Sequence, residues 1–270
     1  MNATSQESVP YFSQYIYESI FATVVPDIKF KVVTAPFPQF YVFTQKVAAI
    51  QALDFTVFIA IALAIIPCVI ISHILKERTH NLKHMQVISG VSLPAYWIAN
   101  MLSDISQAYV PILIIVLLQY IFSLDYEGVW VLLLLYPIAI VPFTYVTSFM
   151  FTGDTVAVIM TVFIHFMVGG IFPVVLFGLD NIPWTANLAD SMRWWFTFVP
   201  TFCVGEGIVF SSTYQLLNIA RKGLKLAHFD VNQVNTDVWA LTNLGGNYII
   251  MVTTGVVCCL LLVLIELDIF

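Results

Sequence analysis

The chain has 270 residues, of which 60% are hydrophobic and 10% charged, and its formal net charge is −6. Soluble domains carry about a quarter charged residues, so this composition excludes an ordinary soluble fold and makes lipid the solvent. With only 10 Lys and Arg and no basic stripe to release counterions, nucleic acid is excluded as a partner.

Met1 to Asp27 is polar and mixed, without the basic-then-apolar order of a secretory signal. Asn2-Ala3-Thr4 is a glycosylation sequon, informative only if this end lies outside. A helix needs about 20 apolar residues to cross the hydrocarbon core. Five stretches reach that length: Phe55 to Leu75, Pro94 to Phe122, Val129 to Met150, Thr155 to Phe177, and Tyr248 to Leu267. Pro67, Pro137 and Pro142 lie inside spans, where neighbouring elements satisfy the freed carbonyls.

Leu179 to Phe210 is apolar and aromatic but interrupted by Pro183, Asp190, Arg193, Pro200 and Gly205. It reads as two short helices that dip into one leaflet and return, with one tilted span as the alternative. Ser211 to Asn247 reads as a polar loop with an amphipathic piece around Leu216 to Leu226. The choice at 179–210 decides whether Lys76, Arg78 and Lys83 lie on the same side as Arg221, Lys222 and Lys225. The rule that cytoplasmic loops are basic does not resolve it here.

Lys76 to Ser89 has helical character, with Leu82, Met85 and Ile88 or Ser89 on one stripe and Lys76, Arg78, His80, Lys83 and His84 around the rest. Such a helix is expected at the interface, apolar side inward and basic side toward headgroups or water. Gly90 stops it, and Ser92 caps the next helix, whose first turn accepts Pro94. His80 and His84 are four apart, but no third ligand is near, so an exposed basic face is favoured over a metal site. Asn100, Asp104 and Gln107 fall within two turns of the second span. A carboxylate at that depth costs about 2.5–3.5 kcal/mol to insert, so Asp104 must face protein or a polar cavity. A pathway lining and an inter-helix hydrogen bond are both open. His165 and Glu206 carry the same ambiguity, with structure favoured. Cys68, Cys203, Cys258 and Cys259 form no pair or ligand spacing and read as buried, inert thiols.

The basic helix followed by SGVSLPAYWIANMLSD resembles the transmembrane half of ATP-binding cassette transporters of subfamily A, the lipid exporters. Their cytosolic coupling helix carries a K-E-R-E…L-K…M-x-x-x-G-x-S pattern, met here by Lys76, Glu77, Arg78, Leu82, Lys83, Met85, Gly90 and Ser92. Thr79 stands where a second acid is usual. Pro200 to Gly207 resembles the P-x-F-x-L-G-x-G run after the family's re-entrant helices, although Glu206 replaces a basic residue there. The resemblance covers Thr34 to Leu267. It implies an all-α integral membrane fold of the ABC-2 type, with about five transmembrane helices, an interfacial coupling helix and a re-entrant helical hairpin. Residues 1–50 would be the tail of an extracellular region and 51–270 an incomplete transmembrane half, with 211–247 outside the cell.

No G-x-x-x-x-G-K-[ST] loop occurs, so nothing in the chain cradles ATP phosphates. Neither metal nor catalytic residues are expected. ATP and Mg would sit on a nucleotide-binding domain, downstream or in trans, and the other partners implied are a second transmembrane half and membrane lipids. The chain reads as a fragment, a mis-split gene or a subunit needing a partner. The expected function is the membrane part of an ATP-driven lipid transporter in a multi-pass protein. A non-transporting scaffold, a channel and an intramembrane enzyme are the alternatives, in that order.

Overall fold

The computed structural model describes residue 16 and residues 39–122, 126–180, 182, 184–226, 239–240 and 244–269; side chains of 39–55, 215–226 and 268–269 lie outside the description. The chain divides into two units, Met1–Lys46 and Val47–Phe270, and the helical bundle belongs to the second. The sequon, the expected extracellular tail up to residue 38 apart from residue 16, and the polar stretch 227–238 lie outside the described residues.

Described residues form helices only, in the order α1 (Gln39–Thr79), α2 (Leu82–Ile88), α3 (Leu93–Ile121), α4 (Val129–Ser148), α5 (Asp154–Phe166), a π-helical turn (Met167–Ile171), α6 (Phe172–Asp180), α7 (Ala186–Phe196), α8 (Pro200–Leu226) and α9 (Leu244–Ile269). Five stretches are long and apolar enough to cross a membrane: Thr56–Thr79, Leu93–Ile121, Val129–Ser148, Asp154–Asp180 and Leu244–Leu267. They match the five spans expected from the apolar runs. The fourth is one passage, α5–π–α6, with Gly169 and Gly170 in its π turn.

α4 is the centre of the bundle. Its Leu132, Leu133, Tyr136, Ile140, Val141 and Tyr145 are all fully buried, and Ile59 and Leu63 of α1, Ile112 of α3 and Met251 of α9 complete the same core. A span packed against several neighbours is apolar on most of its faces, and α4 leaves only Trp130 and Ile138 exposed among its large apolar residues.

The helix pair at 186–226 has a definite place. Its turn lies deep in the bundle: Thr201 meets His165 Nδ1 of α5 at 2.7 Å and Tyr136 of α4 at 3.3 Å. From there α8 runs outward, past Leu132 and Leu244 at Gly207 and past the Glu127 carbonyl, which Ser211 Oγ reaches at 3.2 Å. The other arm, α7, is tied by Arg193 to Asp180 and Glu206. Both arms therefore enter and leave on the side where α4 and α9 begin. This is the expected re-entrant hairpin, and it is two helices, not one tilted span. Its second arm is longer than expected: α8 continues without a break to Leu226, so the amphipathic piece expected inside a loop is the outer end of a helix. The hairpin puts the backbone of 221–225 on the side opposite residues 76–83.

The basic segment departs from its expected form. It is not one helix over 76–89. Lys76–Thr79 is the last turn of α1, Asn81 is left-handed (φ 53°, ψ 25°), and a seven-residue α2 follows. Asn is among the few residues that enter this region at low cost. Gly90 does stop α2: with φ 98°, its N–H donates to Val87 O (3.0 Å) and that of Val91 to Gln86 O (3.2 Å), a Schellman closure. Ser92 occupies the N-cap of α3 in extended backbone, but its hydroxyl makes no capping bond.

Candidate coupling junction and polar inter-helix sites

Four helix ends meet at the α1–α2 elbow, and its charges hold them together. Arg78 donates to the Ser148 carbonyl and hydroxyl at the end of α4, both at 3.2 Å, and its guanidinium lies 4.5 Å from the Phe149 ring centre. Lys83 Nζ donates to both Glu266 oxygens at 2.6 Å. It also sits 5.1 Å from the Trp97 ring centre, close enough for a cation–π attraction. Tyr96 Oη donates to Glu77 Oε2. A cleft of about 440 Å³ remains between these groups, lined also by His84 and Asn81.

The expected orientation of the elbow is therefore inverted at Arg78 and Lys83. Both turn inward onto protein, and the apolar stripe turns outward: Leu82 is 42%, Met85 61% and Ile88 73% exposed. None of the residues of α2 is buried. The cause is Glu266, at the far end of α9. Its side chain is only 5% exposed, and an acid buried that deeply requires a cation; Lys83 supplies it and rolls α2 over.

Asn100, Asp104 and Gln107 of α3 line one cavity, of about 270 Å³, together with His73 of α1 and Ser103. Asp104 also makes an inter-helix bond, since Tyr145 Oη of α4 donates to its Oδ2 at 2.6 Å. The inter-helix bond is the contact the structure shows for Asp104. A run of ring contacts connects the two sites, edge-to-face between Trp97 and Tyr96 at 5.2 Å and tilted between Trp97 and Tyr145 at 5.3 Å between ring centres. Tyr145→Phe is expected to leave the buried Asp104 carboxylate short of its donor, lowering stability by about 1–2 kcal/mol. A thermal melt of the detergent-solubilised protein measures it.

His165 and Glu206 both make contacts between helices. His165 joins α5 to Thr201, and Tyr136 Oη donates onward to Leu63 O at 3.2 Å. Glu206 sits against Arg193 Nε as an ion pair without hydrogen-bond alignment, and Asn247 Nδ2 donates to its other oxygen at 3.2 Å. Arg193 also pairs with Asp180 and, at 2.9 Å, Asp190. Burial raises the Glu206 carboxyl above its ordinary value, with Arg193 opposing. Burial lowers the Arg193 guanidinium, but the three carboxylates outweigh it and hold it above the usual value. Arg193 thus ties α6, α7 and α8 into one unit at the outer end of the hairpin.

Cys203 and Cys258 are buried, whereas Cys68 and Cys259 are only half-buried. Among the described residues no cluster of His, Cys, Asp and Glu could hold a metal. Sequence reasoning missed Tyr136, Tyr145, Thr201 and Glu266. A lone acid inside the final apolar run was the available signal for Glu266, since such a group needs a named partner.

The arrangement is a bundle with a helix–elbow–helix at one membrane face and a re-entrant hairpin at the other. Residues 2–264 match the family described as ABC-2 family transporter protein. The chain belongs to the ABC-2 transporter family. It is 27% identical over 241 residues, 85% of its length, to the retinal-specific phospholipid-transporting ATPase ABCA4 of Bos taurus, of which the match covers 10%. It is 26% identical over 166 residues to the phospholipid-transporting ATPase ABCA7 of Homo sapiens, covering 57% of this chain and 8% of that protein. It is 29% identical over 164 residues to ATP-binding cassette sub-family A member 13 of Homo sapiens, covering 56% and 3%. The chain thus spans about a tenth or less of these relatives. They are subfamily A members, as the motif at Lys76–Ser92 implied. The protein is a multi-pass membrane protein and a transmembrane part of a transporter.

Proposed function

We propose that this chain is the membrane part of an ATP-driven transporter that translocates a lipid, with α2 as the contact through which a nucleotide-binding domain acts on the bundle. The observation that carries this reading is the exposed Leu82–Met85–Ile88 stripe, on a short helix bolted from behind to α9 by Lys83–Glu266. An exposed apolar stripe marks a contact with protein or membrane, and here it is assigned to protein. In relatives named as phospholipid-transporting ATPases, ATP supplies the work, and the same division of labour is proposed here: ATP and Mg on the nucleotide-binding domain, no cofactor in this chain, and a second transmembrane half alongside. Residues 51–270 would be the transmembrane domain and 1–50 the end of an extracellular region. Binding of ATP would move the bundle only by favouring one of two positions of α2. Because Arg78, Lys83 and Glu77 are held by the bundle, a push on α2 reaches α1, α3, α4 and α9 together.

The test alters the stripe and leaves the inward charges intact. Met85→Asp with Ile88→Asp is expected to lower ATP-dependent movement of a headgroup-labelled phospholipid, in vesicles from cells expressing the assembled transporter, at least tenfold. Membrane insertion and melting temperature should be unchanged, since both side chains are exposed. No ATP-dependent movement with the unaltered protein, or an unchanged rate in the variant, overturns the reading.

A further inference from the structure

The fourth span is one passage through the membrane, but its two halves pack in different places. The inner half, α5, meets α1 close to the elbow, where Ala157 closes on Ile71 and Leu75 in a small core of its own. The outer half belongs to the hairpin: Leu176 of α6 packs with Ala189 of α7 and Phe202 of α8, and Asp180 pairs with Arg193. The boundary between the two is the π turn Met167–Ile171. α5 is held lightly within the described chain. Ala157, Thr161 and His165 are its buried residues, whereas Ile159 and Phe163 are 62% and 55% exposed.

The turn has the chemistry of a joint. The Phe172 N–H reaches back five residues to Met167 O, the wide register at which helices kink. Pro173 has no N–H to offer the Gly169 carbonyl in α-helical register. Gly169 and Gly170 are glycines because their neighbours leave no room: a Cβ at 169 would stand 2.2 Å from Thr201 Cγ2, and one at 170 would stand 2.9 Å from Ala60 Cβ. The missing side chains also free the backbone torsions there. His165 Nδ1, bonded to Thr201 at 2.7 Å, pins the end of α5 to the hairpin just below the turn. From that pin to Asp154 the helix is a lever about 16 Å long.

We propose that the π turn is a hinge about which α5 tilts while α6 and the hairpin stay in place. α1 runs directly into the elbow, so a displacement there reaches α5 through Ile71, Leu75 and Ala157 and is absorbed at the joint, as hinges absorb torsion in a few residues. The inner half of the span then moves without disturbing the outer half, where Arg193 binds α6, α7 and α8 together. What drives the tilt rests on the proposed role of α2; the hinge itself does not.

Nitroxide labels on keto-amino acids at Ile159 and Leu188, in the whole protein in lipid nanodiscs, report the joint through their distance distribution. Labels at Val175 and Leu188 report the outer body alone, and all three positions are exposed. Without nucleotide the 159–188 distribution should be at least twice as wide as the 175–188 one. Gly170→Ala with Ala60→Gly moves the obstructing methyl group from α1 into the joint, where the next atoms are Phe166 ring carbons at 3.6 Å. The pair should stiffen the turn, narrow the first distribution about twofold, and leave the second distribution and the melting temperature unchanged. Equal widths for the two label pairs, or no narrowing in the folded double variant, would overturn the hinge. If the double variant does not fold, the two widths in the otherwise unaltered chain decide the matter. With Met85→Asp and Ile88→Asp the wide distribution should persist while transport is lost; persistence with unchanged transport would overturn the role of α2 and uphold the hinge.

Discussion

Gly205→Ala is expected to unfold the hairpin end of the bundle, because the methyl group added there meets backbone at the shortest approach among the described glycines. A Cβ at 205 would stand 2.0 Å from the carbonyl oxygen of Gly169 and 2.9 Å from Pro173 Cγ. The first of these atoms is backbone and cannot rotate away. α8 must therefore separate from the π turn, and Thr201, one turn earlier, would lose its seat against Gly169 and its contact with His165. Overpacking costs about 1–3 kcal/mol where side chains can yield; with backbone on one side the cost should reach at least the top of that range. That corresponds to a melting temperature lower by about 6–12 °C, on the scale of domains of comparable size. Gly178→Ala is the internal control, because a Cβ there meets nothing within 4 Å and alanine favours a helix over glycine by about 1 kcal/mol. Melting in detergent, followed by size-exclusion chromatography, should show aggregation for the first and an unchanged or raised midpoint for the second. Equal midpoints would show that the two helices do not pack backbone to backbone.

The spans and the hairpin were legible in the sequence for one reason: lipid demands long apolar runs, and Pro183, Pro200 and Gly205 break that demand visibly. Where the polar groups point was much less legible. The elbow shows why. Its stripe of Leu82, Met85 and Ile88 has the right spacing for an inward face, but spacing fixes only which residues share a side. Glu266, 183 residues away, decides which side is in. Likewise the α1–α2 break at Asn81 depends on a residue that tolerates left-handed backbone without requiring it. For Asn100, Asp104 and Gln107 the sequence placed the three within two turns of one helix, because helical spacing is local. It could not supply Tyr145, which stands on another helix inside a run that reads simply as apolar. The resemblance located the elbow and the hairpin; the contacts that hold them are this chain's own, down to Glu206 pairing with Arg193 where a basic residue is usual.

Lys83→Met is expected to destabilise the protein by about 2–3 kcal/mol, and Lys83→Met with Glu266→Leu to recover most of that loss. Removing one partner of a buried ion pair leaves an uncompensated charge and costs about 3–5 kcal/mol, whereas replacing both by apolar groups is often neutral. The Glu266 side chain is 5% exposed, but that of Lys83 is 22% exposed, so water reaches one end of the pair and the cost falls below that range. The recovery identifies the pair as a positional device and not a source of stability. Its consequence for transport then differs from its consequence for folding. In the double variant α2 has lost the Lys83–Glu266 charge link to α9. Under the proposed mechanism, ATP hydrolysis in the assembled transporter should continue while lipid movement per ATP falls several-fold. A double variant with recovered melting temperature and undiminished lipid movement would mean that Glu266 merely anchors α2. A double variant that stays as unstable as Lys83→Met would mean that the carboxylate holds more of the junction together than Lys83 alone.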